Sequence, residues 1–227
     1  MKALLLAAGF GTRLRPLTNS IPKCLVPIKG RPLLDIWLEN LTKAGIESFL
    51  INTHFLHEQV EAYIIESRYK NLVELAYEPE LFGTAGTLRK NETFFNGEDG
   101  MLIHADNYCQ ADFGSFISTH KNRPPGCLMT MMTFQTETPK SCGIVDVNEV
   151  GIVKGFHEKV SNPPGTEANG AIYILSASLI KEISAGNATD FSTEIIGSLM
   201  GKIMSHKNDG CLVDIGSPES YHKVCAM

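Results

Sequence analysis

Gly9 and Gly11 stand two residues apart at the end of an apolar run, Ala3 to Ala8, and Arg13, Arg15 and Lys23 follow soon after. No acidic residue occurs between Met1 and Ile28. Glycine tolerates positive φ and lets backbone N–H groups approach a ligand closely, so such a loop can form an anion-binding concavity. A glycine turn with fixed cations directly after a buried strand suits a polyphosphate. Two phosphate loops can be tested against it. The dinucleotide fingerprint needs a third glycine at position 14, where Leu14 stands, and no P-loop string exists anywhere in the chain. The plain alternative is a glycine-rich βα turn with incidental surface cations.

A second candidate is Asp106, directly after the apolar stretch Met101 to Ala105. In open α/β sheets ligands sit beyond the carboxyl ends of the strands. A carboxylate there can hold Mg²⁺ against phosphate oxygens, or it can simply cap the turn at Asn107-Tyr108.

These residues need elements to position them. Ala3 to Ala8 predicts a strand buried on both faces. Leu33, Ile36, Trp37, Asn40, Leu41 and Ala44 predict a helix over Pro32 to Ala44, stopped by Gly45. A strand at Ser48 to Asn52, a helix at His57 to Arg68 and a strand at Leu72 to Tyr77 follow. Then come a helix from Ala85 to Phe95, a strand at Met101 to Ala105, a short helix from Phe113 to His120 and a strand at Cys127 to Phe134. Strands alternating with helices argue for an α/β sheet with crossovers. The second half changes character. Gly143 to Val147 and Gly151 to Phe156 read as a hairpin, Gly170 to Leu175 as a strand and Phe191 to Met200 as a helix. Gly210 to Asp214 is a last strand, before a helix from Ser217. The expected fold is an α/β, Rossmann-like three-layer sandwich with a mixed, mostly parallel central sheet and a small second lobe. One domain over 1–227 is expected, with a nucleotide-binding half at about 1–135 and a second half at about 136–227.

A net charge of −5 argues against wholesale nucleic-acid binding. The six cysteines form no C-x-x-C pair and no zinc spacing, which suits reduced thiols in a cytoplasmic protein. The short run after Met1-Lys2 reads as a strand and not as a secretory signal, and no membrane segment is expected.

Gly9 to Thr18 reads G-x-G-T-R-L-x-P-L-T and is followed by Pro22-Lys23. This string resembles the signature of the sugar-1-phosphate nucleotidyltransferases, in a short form similar to mannose-1-phosphate guanylyltransferase-like enzymes. The resemblance runs from Lys2 to Tyr221 with the motifs in order. It implies a nucleotide site at Leu6, Ala7, Ala8, Gly9, Gly11, Thr12, Arg13 and Lys23, with Asp106 as a metal ligand. Asp214 in D-I-G-S-P-E-S-Y resembles the segment whose Asp supplies the second metal carboxylate. Phe156-His157-Glu158-Lys159 resembles F-x-E-K, in which the Glu reaches sugar hydroxyls and the Lys the sugar phosphate; Val160 replaces the usual proline. Asn169-Gly170 resembles a further sugar-facing segment, and Asn107 and Gly143 are placed with it. Asp190-Phe191 resembles a D-F segment, but its Asp reads equally well as an N-cap, which is the preferred reading. Tyr77 to Leu88 contains F-G-T-A-G and resembles the segment that edges the base, with Gly83 and Thr84 at its turn.

The implied reaction joins an NTP to a sugar 1-phosphate, with Mg²⁺ as cofactor and pyrophosphate as the second product. Arg13, Lys23, Asp106 and Lys159 are the catalytic candidates. No nucleic-acid or membrane partner is expected, and the oligomeric state stays open, a homodimer being one form. The β-helix that longer members append is not expected within this stretch. Glu80 lies three residues before Gly83. A carboxylate accepts only, and guanine offers it N1–H beside an exocyclic amine. Uracil and thymine offer one N3–H between carbonyls, and cytosine and adenine offer acceptors. The ranking expected is GTP, then UTP or dTTP, then CTP and ATP. A choline-phosphate cytidylyltransferase remains a rival, although Glu158, Lys159 and Asn169 favour a sugar. A silent nucleotide-sugar sensor is the rival of another class, and it need not keep both aspartates, Arg13 and Lys23.

Overall fold

The computed structural model describes residues 1–227. In chain order the elements begin with β1 (Lys2–Leu6), β2 (Pro27–Ile28), β3 (Arg31–Pro32), α1 (Leu33–Lys43), β4 (Phe49–Thr53), α2 (His57–Glu66) and β5 (Val73–Tyr77). They continue with α3 (Thr84–Lys90), β6 (Gly100–His104), β7 (Asn107–Cys109), α4 (Phe113–Lys121), β8 (Met129–Gln135), β9 (Gly143–Val147) and β10 (Val153–Glu158). The last are β11 (Glu167–Leu175), α5 (Ala177–Ala185), β12 (Ile203–Lys207), β13 (Leu212–Asp214) and α6 (Pro218–Ala226). The fold is α/β with a mixed sheet. None of the helices is long and apolar enough to cross a membrane.

The chain divides into two compact units that interleave in sequence, with no single break near residue 135. The first takes Met1–Leu81, Ile103–Ala111 and Gly210–Met227; the second takes Phe82–Leu102 and Asp112–Asp209. In the first unit β1 pairs in parallel with β4, Ala3 opposite Phe49, and β4 pairs in parallel with β5. Ala3, Leu4 and Leu5 are wholly buried, as a strand covered on both faces requires. Helix α1 buries Leu33, Leu34, Trp37, Leu38 and Leu41, so the buried stripe is rotated one position from the expected one, and Ile36 and Asn40 are only half-buried. Trp37 Nε1–H donates to the Asn107 carbonyl at 2.8 Å, which fixes the start of β7 against α1. Strand β13 runs antiparallel to β7 with Asp214 opposite Asn107.

In the second unit β11 lies between β8 and β9, antiparallel to both; β10 extends β9 and β12 runs parallel to β8. Met129, Met131 and Met132 of β8 are wholly buried core residues, as their strand pattern indicates.

Several expected elements are corrected. The helix expected from Ala85 to Phe95 ends at Lys90, and Glu92–Phe95 forms a separate 3₁₀ turn. Asn91 leaves helical geometry with φ −117°, and its side-chain amide donates to the Thr87 carbonyl at 2.8 Å. The helix expected from Phe191 to Met200 is a π-helical turn, Phe191–Ile195, followed by a 3₁₀ turn, Ile196–Leu199. Helix α5 and strand β12 were not expected. Ser176 caps α5, its hydroxyl accepting from Leu179 N–H at 3.2 Å.

Candidate active site

The polyphosphate candidates lie together in the first unit. Gly11 has φ +63°, and a Cβ there would come within 3.0 Å of Thr18 and 3.3 Å of Lys23, so both conformation and space call for glycine. The Thr18 hydroxyl donates to the Gly11 carbonyl at 2.7 Å and closes the loop over the turn Thr12–Leu14. Gly9 is not left-handed and has open space around it, so the expectation of positive φ applies to Gly11 alone. Leu6, Ala7 and Ala8 are buried where β1 enters the loop. The Ala7 N–H donates to Asn52 Oδ1 at 2.7 Å, and Asn52 Nδ2 donates to Glu78 Oε1 at 2.9 Å. Glu78 is a buried carboxylate that the sequence reading passed over.

Lys23 is buried and its ammonium donates to Asp106 Oδ2 at 2.9 Å and to Asp214 Oδ1 at 3.2 Å. The Arg13 guanidinium donates to Asp214 Oδ2 at 3.0 Å. The β7–β13 pairing explains why residues so far apart in sequence meet: it sets Asn107, next to Asp106, opposite Asp214. Desolvation, the largest single effect on Asp214, works to raise its pKa. The charges of Lys23 and Arg13 outweigh it and hold the carboxyl below the usual range.

No cluster of three or more His, Cys, Asp or Glu side chains is poised to hold a metal. The donor set is two carboxylates gathered on one ammonium. Hard carboxylate oxygens of this number suit a divalent cation whose other ligands are water and substrate phosphates, so Asp106 and Asp214 fit the implied metal.

The sugar candidates Gly143, Glu158, Lys159, Asn169 and Gly170 belong to the second unit. Glu158 ends β10; its Oε1 lies 3.2 Å from Lys159 Nζ and its Oε2 accepts from the Ser192 hydroxyl at 2.9 Å. Gly143 starts β9 beneath that carboxylate, where a Cβ would fall 2.6 Å from Oε2. Lys159 is exposed. Asn169 Oδ1 accepts from Ala171 N–H at 2.9 Å, and Asn169 Nδ2 donates to the Tyr173 hydroxyl at 2.7 Å. Burial raises the pKa of Tyr173, which stays a neutral phenol. Gly170 is buried in β11. Asp190 accepts from Thr193 N–H at 2.8 Å and is an N-cap. At the base-edge turn Gly83 has φ +77°, and Thr84 Oγ1 accepts from Phe191 N–H at 2.7 Å. Glu80 is exposed in the first unit, and Asn107, the remaining sugar candidate, belongs to β7 of that unit. His54 is a fold residue, its Nδ1 bonded to the Glu78 carbonyl at 2.7 Å.

Sequence reasoning missed Asn52, Glu78 and Ser192. Asn52 carried a signal, an amide directly after the apolar run Phe49-Leu50-Ile51. Ser192 carried none, since a serine after Asp190-Phe191 reads as an ordinary first helical turn.

The chain is 30% identical over 229 residues to a mannose-1-phosphate guanyltransferase of Aspergillus fumigatus, which it matches over 97% of itself and 62% of that protein. It is 31% identical over 226 residues to the catalytic subunit beta of mannose-1-phosphate guanylyltransferase of Drosophila melanogaster, over 97% of itself and 60% of that protein. A UTP–glucose-1-phosphate uridylyltransferase of Synechocystis is 29% identical, over 97% of this chain and 61% of that one. The chain thus spans about three fifths of the length of these curated relatives. Its fold matches that of HddC from Yersinia pseudotuberculosis in complex with GMP-PN, with TM-score 0.81 and 23% identity over 99% of this chain and 98% of that one. It also matches a UDP-glucose pyrophosphorylase in complex with UDP-glucose, with TM-score 0.83 and 22% identity over 99% and 97% of the two chains. The nucleotidyl transferase family model matches residues 2–227, and the chain belongs to that family.

Proposed function

We propose that the protein transfers a nucleotidyl group from an NTP to a sugar 1-phosphate and releases pyrophosphate. The observation that carries the reading is the Arg13–Lys23–Asp106–Asp214 cluster in a member of this family. The sugar phosphate is already an anion, so its oxygen attacks the α-phosphorus without a general base. Catalysis reduces to alignment and charge stabilisation. Arg13 and Lys23 neutralise the triphosphate and the departing pyrophosphate, and the N–H groups of the Ala8–Thr12 loop line the phosphate path. Asp106 and Asp214 would hold a divalent cation, Mg²⁺ in this reading, which supplies positive charge at the phosphate oxygens. Lys159 takes the sugar phosphate and orients the nucleophile. Glu158 accepts from a sugar hydroxyl. Asn169 gives one of its two N–H donors to Tyr173 and keeps the second for the sugar.

The best base is guanine and the best sugar a mannose-like hexose. The guanyltransferase names of the fungal and fly relatives support this, as does an exposed carboxylate at Glu80 next to the base-edge turn. The uridylyltransferase name of the Synechocystis relative supports UTP or dTTP as the second choice. The test is a matrix of GTP, UTP, dTTP, CTP and ATP against a panel of sugar 1-phosphates, read by pyrophosphate release. Strongest release from GTP with mannose 1-phosphate is expected. CTP as the best nucleotide would overturn the base assignment, and NTP binding without release from any pair would replace the enzyme with a sensor.

A further inference from the structure

One short segment of the second unit contacts both the base-edge turn and the sugar-facing carboxylate Glu158. In Thr189–Glu194 the Glu194 carboxylate folds back, and its Oε1 accepts from Thr189 N–H at 3.0 Å, the Thr189 hydroxyl at 2.9 Å and Asp190 N–H at 2.7 Å. Asp190 Oδ1 accepts from both the N–H and the hydroxyl of Thr193 at 2.8 Å. The segment is therefore closed on itself, and it leads into the π-helical turn Phe191–Ile195, a rare geometry found often at functional sites.

Its remaining groups all point to neighbours in the same unit. The Thr189 carbonyl accepts from Ala85 N–H at 2.9 Å and Gly86 N–H at 3.3 Å, and Phe191 N–H donates to Thr84. A Cβ on Gly83 would fall on that same Thr189 carbonyl. The Phe191 ring packs on Tyr173 at 4.8 Å between centroids, and Tyr173 receives the Asn169 amide. Ser192 donates to Glu158 Oε2.

We propose that Thr189–Glu194 is a strap that places the base-edge turn and the sugar-reading carboxylate together, with Ser192 as the positioning residue for Glu158. The assignment of the two ends to base and sugar rests on the proposed function. Glu158 has a flexible side chain with only two hydrogen-bonding side chains on its carboxylate, Lys159 and Ser192. When Lys159 turns to the sugar phosphate, Ser192 alone keeps Oε2 in place and leaves Oε1 directed at a hydroxyl. Lys159 contacts Glu158 directly, the charges of Glu158 and Asp190 both reach Tyr173, and Glu194 is bonded to Asp190.

The test uses the full chain with Ser192→Ala, Ser192→Thr and Thr84→Val. Ser192→Ala is expected to raise KM for the sugar 1-phosphate about tenfold, the scale of one hydrogen bond to a charged group, with KM for the NTP unchanged; Ser192→Thr restores it. A second readout does not need turnover: carboxyl ¹³C NMR of labelled glutamates at neutral pH, with Glu158 assigned by its loss in Glu158→Gln. Removing the serine donor shifts the Glu158 carboxyl resonance. Thr84→Val, which releases the other end of the strap, shifts it by less. An unchanged Glu158 resonance in Ser192→Ala, or an equal rise of both KM values, overturns the positioning role. An unchanged resonance in Thr84→Val overturns the single strap. Absence of turnover in the wild type would instead defeat the proposed reaction, and the NMR comparison would still decide the strap.

Discussion

The site of the first unit holds together by charge, and that of the second by directed neutral groups. Arg13, Lys23, Asp106 and Asp214 form three ion pairs, and the side chains of Arg13 and Asp214 are 72% and 48% exposed. The exposed Arg13–Asp214 pair contributes about 0–1 kcal/mol and can exchange its partner for a phosphate oxygen at little cost, whereas Lys23 is buried and holds both aspartates. Around Glu158 and Asn169 the partners are a serine hydroxyl, a phenol and a backbone amide, with one lysine at the edge. Such bonds are directional and suit hydroxyls, whose orientation carries the information. Under the proposed function the difference is a division of labour: charge for a polyanion, fixed geometry for a polyol.

The largest effect expected from breaking this contrast is on the charged side. Asp106→Asn or Asp214→Asn should lower kcat about a hundredfold or more, the scale of one lost electrostatic stabiliser. Circular dichroism should be unchanged, because both carboxylates are partly exposed. Near-normal turnover in saturating Mg²⁺ would remove that residue from the metal site.

A second prediction sharpens the contrast through pH. His120 of the second unit is buried between Thr130 and Asp99, bonded to them at 2.8 and 3.1 Å. Desolvation, with the nearby Arg123 charge, pulls its pKa down to about 4 from the ordinary 6.5, against the opposing pull of Asp99. The unfolded chain takes up this proton below about pH 6.5 while the folded chain does not until about 4. Stability from this group is thus complete above pH 6.5 and falls between 6.5 and 4, by at most about 1.4 kcal/mol per pH unit. Urea unfolding across that window should show the loss, and His120→Gln should flatten it. Parallel pH curves for the two proteins would contradict the assignment.

The smallest effect is at Glu80. Glu80→Gln should narrow the preference for GTP over UTP by a few-fold, since the amide accepts with one atom only. An unchanged nucleotide ranking would show that Glu80 faces solvent in the complex as well.

Much of this was legible in the sequence because it is local. The apolar run into Gly9 and Gly11, the strand before Asp106 and the methionine-rich core strand follow from periodicity and turn chemistry. Helix α5 carries a local signal too, in Ser176 and the spacing of Leu179, Ile180 and Ile183. The rest depends on partners distant in the chain. Nothing local says that Glu78 is buried against Asn52, or that Lys23 lies between two aspartates 83 and 191 residues away. The π-helical turn at Phe191 reads as α-helix because what bends it is Glu194 turned back onto the amides of Thr189 and Asp190.

The division of labour is tested most directly by calorimetric titration of Lys23→Ala and Lys159→Ala with each substrate. The nucleotide is supplied as a non-hydrolysable NTP analogue with Mg²⁺, and the sugar 1-phosphate is titrated alone and on the analogue complex. The account predicts a crossed pattern. Lys23→Ala weakens the nucleotide about tenfold or more and leaves the sugar 1-phosphate near its wild-type affinity, and Lys159→Ala does the reverse. Equal weakening of both ligands in both variants, or the opposite crossing, would contradict it.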